Sequence, residues 1–460
     1  MYIRDTIAAI ATPLGVGGIA IVRVSGPEAE KIGACLFTGS KVSKGGGFES
    51  HRLLYGHFIE PLSGSVLDEG MCVLMRSPRS YTCEDVLELH CHGGYYVVRS
   101  LLQACLVLGA RLAAPGEFTR RAFLNGRIDL AQAESIVDVI ASRTDRSLAL
   151  AQSQREGHLS SALADVRLNI VDALALIEAY IDFPEDEVDP AVLTLVDSRI
   201  SAATMRLVQL VDSFATGKVL REGVSVLLLG RPNAGKSSLL NAITGTDRAI
   251  VSDIPGTTRD FIEEVISIHG LPVKIIDAAG IRDHHEDCVE QEGVRRALNK
   301  LSEADLVLFL VDGSAAVSGD DRGIASAIAN TPYMVVVTKS DLPAVAILSE
   351  FAAAVNVVPV SSRTGLGIEQ LVGKIFEHFI HQDALTSDEV QVVSNARHRD
   401  ILLRAVKSLA QFAANLQTGL PLELLSLDLR SALLALGEVT GETTTDEILD
   451  VIFSSFCIGK

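Results

Sequence analysis

The chain has 460 residues, 48% of them hydrophobic, and carries 40 Lys and Arg against 58 Asp and Glu, a formal charge of −18. That length predicts roughly three domains, and the acidic balance excludes a broad basic face for nucleic acid, leaving any RNA contact local or shared with a more basic partner. Seven cysteines are scattered without a CxxC pair, which indicates neither a disulfide framework nor a zinc ribbon. No basic segment leads into an apolar signal core, and no apolar run approaches ~18 uninterrupted residues. The expectation is a soluble, cytoplasmic protein without a membrane span.

Residues 1 to 118 read as a mixed α/β domain. Ile19 to Val24 predicts a strand ended by Ser25-Gly-Pro27, and Met71–Met75 and Val86–His90 predict two more. From Pro115 the pattern changes to apolar residues at spacings of three and four. Leu130, Ala133, Ile136, Val137 and Ile140 fit one helix face, and Val166, Ile170, Ala173, Leu174 and Ile177 fit another. The acidic stretch Asp182 to Asp189, broken by Pro184, interrupts this helical region, which resumes over 191–216. Residues 219–382 then alternate strand-like runs with helices, the pattern of a doubly wound, mostly parallel sheet. Residues 383–460 are helical again. The expected organisation is therefore a discontinuous helical domain, 119–218 and 383–460, with an α/β domain inserted between its parts.

The inserted domain carries the clearest chemistry. Val224 to Leu229 leads into Gly230-Arg-Pro-Asn-Ala-Gly-Lys-Ser237, and Ser238 opens a helical run. Strand, glycine loop and helix start in that order form a P-loop, whose backbone N–H groups and helix terminus receive phosphates. Asn233, Ala234, Gly235, Lys236, Ser237 and Ser238 make the cradle, with Lys236 reaching the β- and γ-phosphates and Ser237 holding Mg²⁺. Asp277-Ala278-Ala279-Gly280 ends a second strand where a carboxylate meets Mg²⁺ and the glycine N–H meets the γ-phosphate. Thr338-Lys339-Ser340-Asp341 ends a third, and Asp341 suits guanine because it accepts two hydrogen bonds that adenine does not offer. Ser361, Ser362 and Arg363 follow on a loop expected at the base. The order is that of a Ras-like GTPase binding GTP, with two departures. Thr338 stands where asparagine is usual, weakening one brace, and Ile281 stands where Ras has the water-positioning glutamine, so another group must orient water.

Together with the P-loop, Ser252-Asp253-Ile254-Pro255-Gly256-Thr257-Thr258-Arg-Asp260, the stretch Pro115 to Glu134 and the terminal Phe456-Cys-Ile-Gly-Lys460 resemble the MnmE (TrmE) tRNA-modification GTPases over essentially the whole chain. The resemblance implies a potassium-activated GTPase whose G domains pair across a homodimer. It places Asn233, Ser252, Ile254 and Thr257 at K⁺, Thr258 at Mg²⁺ beside Ser237, and Glu290 at the attacking water, with Glu286 or Glu292 competing for that role. It also implies an N-terminal domain that dimerises and binds 5-formyl- or methylene-tetrahydrofolate through Arg23, Glu88, Arg127 and Lys460. Read alone, those four are ordinary solvated charges. Cys457 is required for tRNA modification in the family, whereas by itself it reads as a small hydrophobe anchoring the tail. The implied reaction, run with the FAD-containing partner MnmG (GidA), adds an aminomethyl-type group at C5 of wobble uridine 34 in tRNA. A GTP-dependent RNA-binding assembly switch of the Era or EngA type is the alternative. His90-Cys-His92 places two imidazoles on one strand face without a third ligand, so no metal is expected there.

Overall fold

The computed structural model describes residues 5–39, 47–183, 189–246, 264–277, 300–346, 351, 354–380 and 392–460. Its contacts divide the chain into two compact units, 1–137 with 437–460, and 138–436.

The first unit is built on seven strands: β1 (Ile7–Ile10), β2 (Gly17–Ser25), β3 (Phe37–Thr38), β4 (Leu54–Ile59), β5 (Val66–Met75), β6 (Val86–Gly93) and β7 (Arg111–Leu112). Their order is β3-β4-β5-β6-β2-β1-β7, antiparallel throughout except for the parallel β1–β7 pair. Period-two patterning decides what each face does. On β2, Ala20, Val22 and Val24 are buried, and on β6 so are Leu87, Leu89 and Cys91. All six join one core with Ile32 of α1 (Ala29–Leu36) and Leu101 of α2 (Tyr95–Val107). The alternate residues, Arg23 on β2 and Glu88 and His90 on β6, therefore face away from that core. A smaller cluster of Ile7, Ala9, Ala113 and Phe118 covers part of that second face, with Tyr81 packed on it. Phe118 belongs to α3 (Glu117–Leu124), which is followed by α4 (Leu130–Ala141).

The second unit begins with α5 (Asp145–Arg155), whose Thr144 and Ser147 form a reciprocal capping box. Next come α6 (His158–Asp182), α7 (Pro190–Asp212), capped by Asp189 with Pro190 at its first position, and α8 (Phe214–Glu222). Of the expected face on α6, Val166, Ile170, Ala173 and Ile177 are buried and Leu174 is half-buried, while on α4 Leu130 and Ala133 are buried, Ile136 and Val137 half-buried and Ile140 exposed. A six-stranded sheet follows, of β8 (Val224–Gly230), β9 (Glu264–Ile268), β10 (Leu271–Asp277), β11 (Leu306–Asp312), β12 (Tyr333–Thr338) and β13 (Asn356–Pro359). Its order is β13-β12-β11-β8-β10-β9, all parallel except β9 against β10. This is the doubly wound sheet that the alternating pattern predicts. β11 is buried at all seven positions, as a parallel strand covered on both faces must be. One face packs on α9 (Lys236–Thr246), the other on α10 (Gly319–Ala327), and α11 (Ile368–Phe379) joins the α9 side.

The helical region resumes with α12 (Ala396–Gln417) and α13 (Leu422–Thr440). α12 packs against α7, so helices that precede and follow the inserted sheet in the chain meet. Short bonds lock the returning chain: Gln154 Nε2 donates to Val392 O (3.2 Å) and Ser394 Oγ (3.0 Å), and Val393 N donates to Ser213 Oγ (3.1 Å). The chain closes in the first unit with α14 (Asp446–Ser454). No described helix is long and apolar enough to cross a membrane.

Candidate functional site

The P-loop lies between β8 and α9, with Asn233 at φ 60° and Gly235 at φ 93°. These left-handed residues turn successive N–H groups to one side, the arrangement that receives an anion at a helix start. Ala234 is fully buried while Asn233, Ser237 and Ser238 are exposed. Lys236 Nζ donates to the carbonyls of Gly230 (2.8 Å) and Arg231 (3.1 Å), holding its charge at the loop. Arg231 Nε stands 3.9 Å from buried Asp321 of α10.

Thr338 does brace the site. Its Oγ1 lies 2.8 Å from Ala234 O and 3.3 Å from Val311 O, tying the end of β12 to the P-loop and to β11. One hydroxyl proton serves one acceptor at a time, but the link across 104 residues is there. Lys339, at φ 56°, pairs with Asp312 (2.6 Å). Although burial disfavours its charge, the bonds from Lys339 and Ser314 hold Asp312 below the usual carboxylate range. Ser361 is buried and donates to Asp341 Oδ1 (2.8 Å), so it orients the carboxylate expected at guanine; Ser362 is half-buried and Arg363 exposed. The expected Ser252, Asp253, Ile254, Pro255, Gly256, Thr257, Thr258, Ala278, Ala279, Gly280 and Glu290 lie outside the described residues, as does the side chain of Asp277.

A second constellation forms in the first unit. Arg23 Nε donates to Glu88 Oε1 (2.9 Å), with only 21% and 17% of the two side chains exposed. They are neighbours across the β2–β6 ladder, so their pairing follows from register, and they are not independent solvated charges. His90 Nε2 reaches Glu88 Oε2 (3.4 Å) from the same strand face. The His90 contact, then burial opposing it, then Arg23, leave the Glu88 carboxyl below its ordinary value. Arg23 also reaches the carbonyl of Gly459 (3.3 Å), so the last residues of the chain meet the strand pair. Lys460 stands close by; burial, and beyond it the Arg23 charge, lower its pKa.

Arg127 joins through a residue absent from the expected set. Tyr81 holds the Arg23 guanidinium 5.5 Å and the Arg127 guanidinium 5.0 Å from its ring centroid, and its carbonyl accepts from Arg127 Nη1 (2.6 Å). Its hydroxyl bonds Thr119 Oγ1 (2.8 Å). Tyr81 lies in a turn-rich segment with no periodicity to mark it. Arg121 was equally illegible: it is 2% exposed and bonded to Asp5, Glu84 and Glu117. Cys457 is exposed, and the buried tail anchor is its neighbour Phe456 (6% exposed), which corrects the reading of the cysteine as the anchoring hydrophobe. His92 pairs with Asp68 (2.8 Å), and among the described residues no group of three acidic, His or Cys side chains is arranged for a metal.

Two family descriptions match the chain: "MnmE helical domain" over residues 130–457 and "GTP-binding protein TrmE N-terminus" over 6–127. The tRNA modification GTPases MnmE of Geobacter metallireducens and Geobacter sulfurreducens are 53% and 54% identical to it, each over 460 residues and 100% of both chains. An Era variant from Aquifex aeolicus bound to GDP·AlF4⁻ is 27% identical over 40% of this chain and 66% of its own, with a TM-score of 0.28, too low a superposition to carry an argument.

Proposed function

This chain belongs to the MnmE (TrmE) family of tRNA modification GTPases, and we propose that it couples potassium-activated GTP hydrolysis to folate-dependent modification of wobble uridine 34. That membership makes it an enzyme hydrolysing GTP in tRNA modification, and the Era-type or EngA-type assembly switch drops out as the alternative. The observation that carries the folate half is the convergence of Arg23, Glu88, Tyr81 and Arg127 with the terminal segment in a unit apart from the P-loop.

GTP would lie along the P-loop, its phosphates on the N–H groups of 233–238 and on Lys236, its guanine on Asp341 as held by Ser361. Arg363 and Ser362 would flank the base. Ser237 and Thr258 would hold Mg²⁺ near Asp277, and Asn233 with Ser252, Ile254 and Thr257 would hold K⁺. The exposed Asn233 amide in a left-handed turn fits a large monovalent cation better than a small divalent one, since it offers a neutral oxygen and no carboxylate. The two cations, when bound, supply positive charge where phosphate charge develops. Glu290 would orient water in place of the missing glutamine, and Ala278, Ala279 and Gly280 would sit at the γ-phosphate.

The first unit would bind 5-formyl- or methylene-tetrahydrofolate. Glu88 offers a carboxylate to a pterin donor edge, while Arg23, Arg127 and Lys460 offer cations to a glutamate tail. Cys457 is exposed beside them and available to the reaction. We assign the functional limits near 118, 218 and 382: folate and dimerisation, helical, GTPase, helical. The proposed assembly is a cytoplasmic homodimer acting on tRNA with the FAD-containing partner MnmG (GidA), and G-domain pairing would drive hydrolysis. Hydrolysis measured in KCl and NaCl tests the cation: KCl should be much faster, and Asn233→Ala should erase the difference. Equal rates in the two salts overturn the potassium assignment.

A further inference from the structure

We infer that Gly116 and Arg120 are positioning residues for the terminal Cys457-Ile-Gly-Lys460 segment, holding it where the modification chemistry needs it. The inference rests on the folate and Cys457 reading above. Neither residue belongs to the set expected at GTP or folate.

The segment is gripped from two sides, and each grip is on main chain. On one side, Gly116 opens α3 at φ 65°, and its N–H donates to Cys457 O at 3.4 Å. A Cβ there would come within 2.6 Å of Phe453 O and 3.0 Å of Phe456 Cβ, so only glycine lets α3 approach the end of α14 this closely. On the other side, Arg23 Nη1 donates to Gly459 O (3.3 Å), and a Cβ on Gly459, at φ 94°, would overlap the carbonyl of Ile10 on β1. With the backbone held at 457 and 459, the side chains of Cys457 and Ile458 are left exposed. A buried anchor would need the opposite: side chains inside and main chain merely following.

Arg120 sets the helix that delivers the segment. It projects from α3 to two carboxylates one turn apart on α14, Asp450 (2.6 Å) and Asp446 (3.8 Å). The three line one wall of a cavity of about 510 Å³ that Arg111 and Arg121 share. Asp446 and Asp450 are 79% and 63% exposed, and pairs so open to water add little to stability. Their effect is on direction: one guanidinium facing an i, i+4 pair favours one rotation of α14 about its axis. Below, Phe123 of α3 meets Phe453 (6.5 Å between centroids) and Phe453 meets Phe456 (5.4 Å), so rotation of α14 would carry the tail with it.

The test uses the full-length chain with its flavoprotein partner, folate and undermodified tRNA, comparing Gly116→Ala, Arg120→Gln, Arg120→Lys and Cys457→Ser. Gly116→Ala and Arg120→Gln should each lower the modification rate about tenfold at saturating folate, with GTP hydrolysis within about twofold of wild type. Arg120→Lys should recover most of the loss. In the same proteins, iodoacetamide labelling of Cys457, read by peptide mass spectrometry against exposed Cys35, should change about threefold or more, a shift that a general loss of stability would spread over both thiols. Normal modification by Gly116→Ala and Arg120→Gln alongside an inactive Cys457→Ser protein overturns the inference while leaving the site reading intact. Normal modification by Cys457→Ser overturns the site reading instead, and unchanged labelling ratios would then overturn the clamp as well. If Gly116→Ala fails to fold, Arg120→Gln, altering only a solvent-open pair, decides alone.

Discussion

The P-loop and the Arg23–Glu88 constellation bind by opposite means. The loop is five consecutive residues, 231–235, between β8 and α9, and most of its working groups are backbone N–H. Its shape follows from local rules: glycine and asparagine tolerate positive φ, and a helix start carries its own positive end. The second constellation draws side chains from β2, β6, the turn at Tyr81 and the loop after α3, and a carbonyl from the chain terminus, joining residues as far apart as 23 and 459. A site made of main chain survives in any fold that keeps its strand, loop and helix. A site made of distant side chains exists only when the whole unit is assembled. Mutations should therefore act locally at the first and cooperatively at the second.

Lys236→Ala gives the sharpest contrast. Removing the ammonium expected at the β- and γ-phosphates should slow GTP hydrolysis roughly 100-fold or more, while tetrahydrofolate binding, followed by calorimetry, stays unchanged. Loss of both activities would mean that the two regions are not separable.

At the second site, Arg23→Ala removes one of two partners of Glu88, the bond to Gly459 and one of the two guanidiniums on Tyr81. Losing charged hydrogen bonds of ~1.5–3 kcal/mol should weaken folate binding about tenfold or more. Labelling of Cys457 should change in the same variant, because Arg23 also holds the tail. Unaltered labelling would break the claim of cooperativity.

A smaller effect sharpens the P-loop side. Thr338→Val keeps the shape and deletes the hydroxyl, costing ~1 kcal/mol for a buried hydrogen bond. GTP affinity should fall about fivefold, with hydrolysis of bound GTP little changed. If affinity does not fall, Thr338 is a spacer and the brace to Ala234 contributes nothing.

The smallest expected effect is acid sensitivity. Glu88 has a folded pKa below the ordinary 4.5, through His90, against the opposing effect of burial, and then through Arg23. A depressed carboxylate contributes stability above its unfolded pKa and loses it as pH falls through the folded one. The thermal stability of the first unit should therefore fall as pH drops below 4.5, and Glu88→Gln should flatten that slope. An unchanged slope in the variant would show that other carboxylates, such as Asp5 and Glu117 around Arg121, carry it.

How much of this was legible depended on how local the cause was. The burial of Ile170 and Ala173 on α6 follows from periodicity, and that of the whole of β11 from a continuous apolar run in a parallel sheet. The P-loop follows from residue types at fixed spacing. Tyr81 and Arg121 did not show, because a tyrosine in a turn and an arginine in a helix look like surface until the fold surrounds them. The exposure of Cys457 and burial of Phe456 went the same way: both are apolar in composition, and only packing against α3 and α4 chose which one turned inward.

By itself, the sequence determined the elements whose cause lies within a few residues: the strands, the amphipathic helices, the phosphate loop and the Thr338 to Asp341 turn. Its motifs also marked the family. Tertiary structure alone decided which charges meet. Strand register brought Arg23 to Glu88, Gly116 admitted the end of α14, and Thr338 reached Ala234 across 104 residues. The physical reason is range: dihedral preference and hydrophobic period act over a turn or a pleat. A hydrogen bond between residues 23 and 459 exists only once the intervening chain has lost its freedom to place them anywhere else.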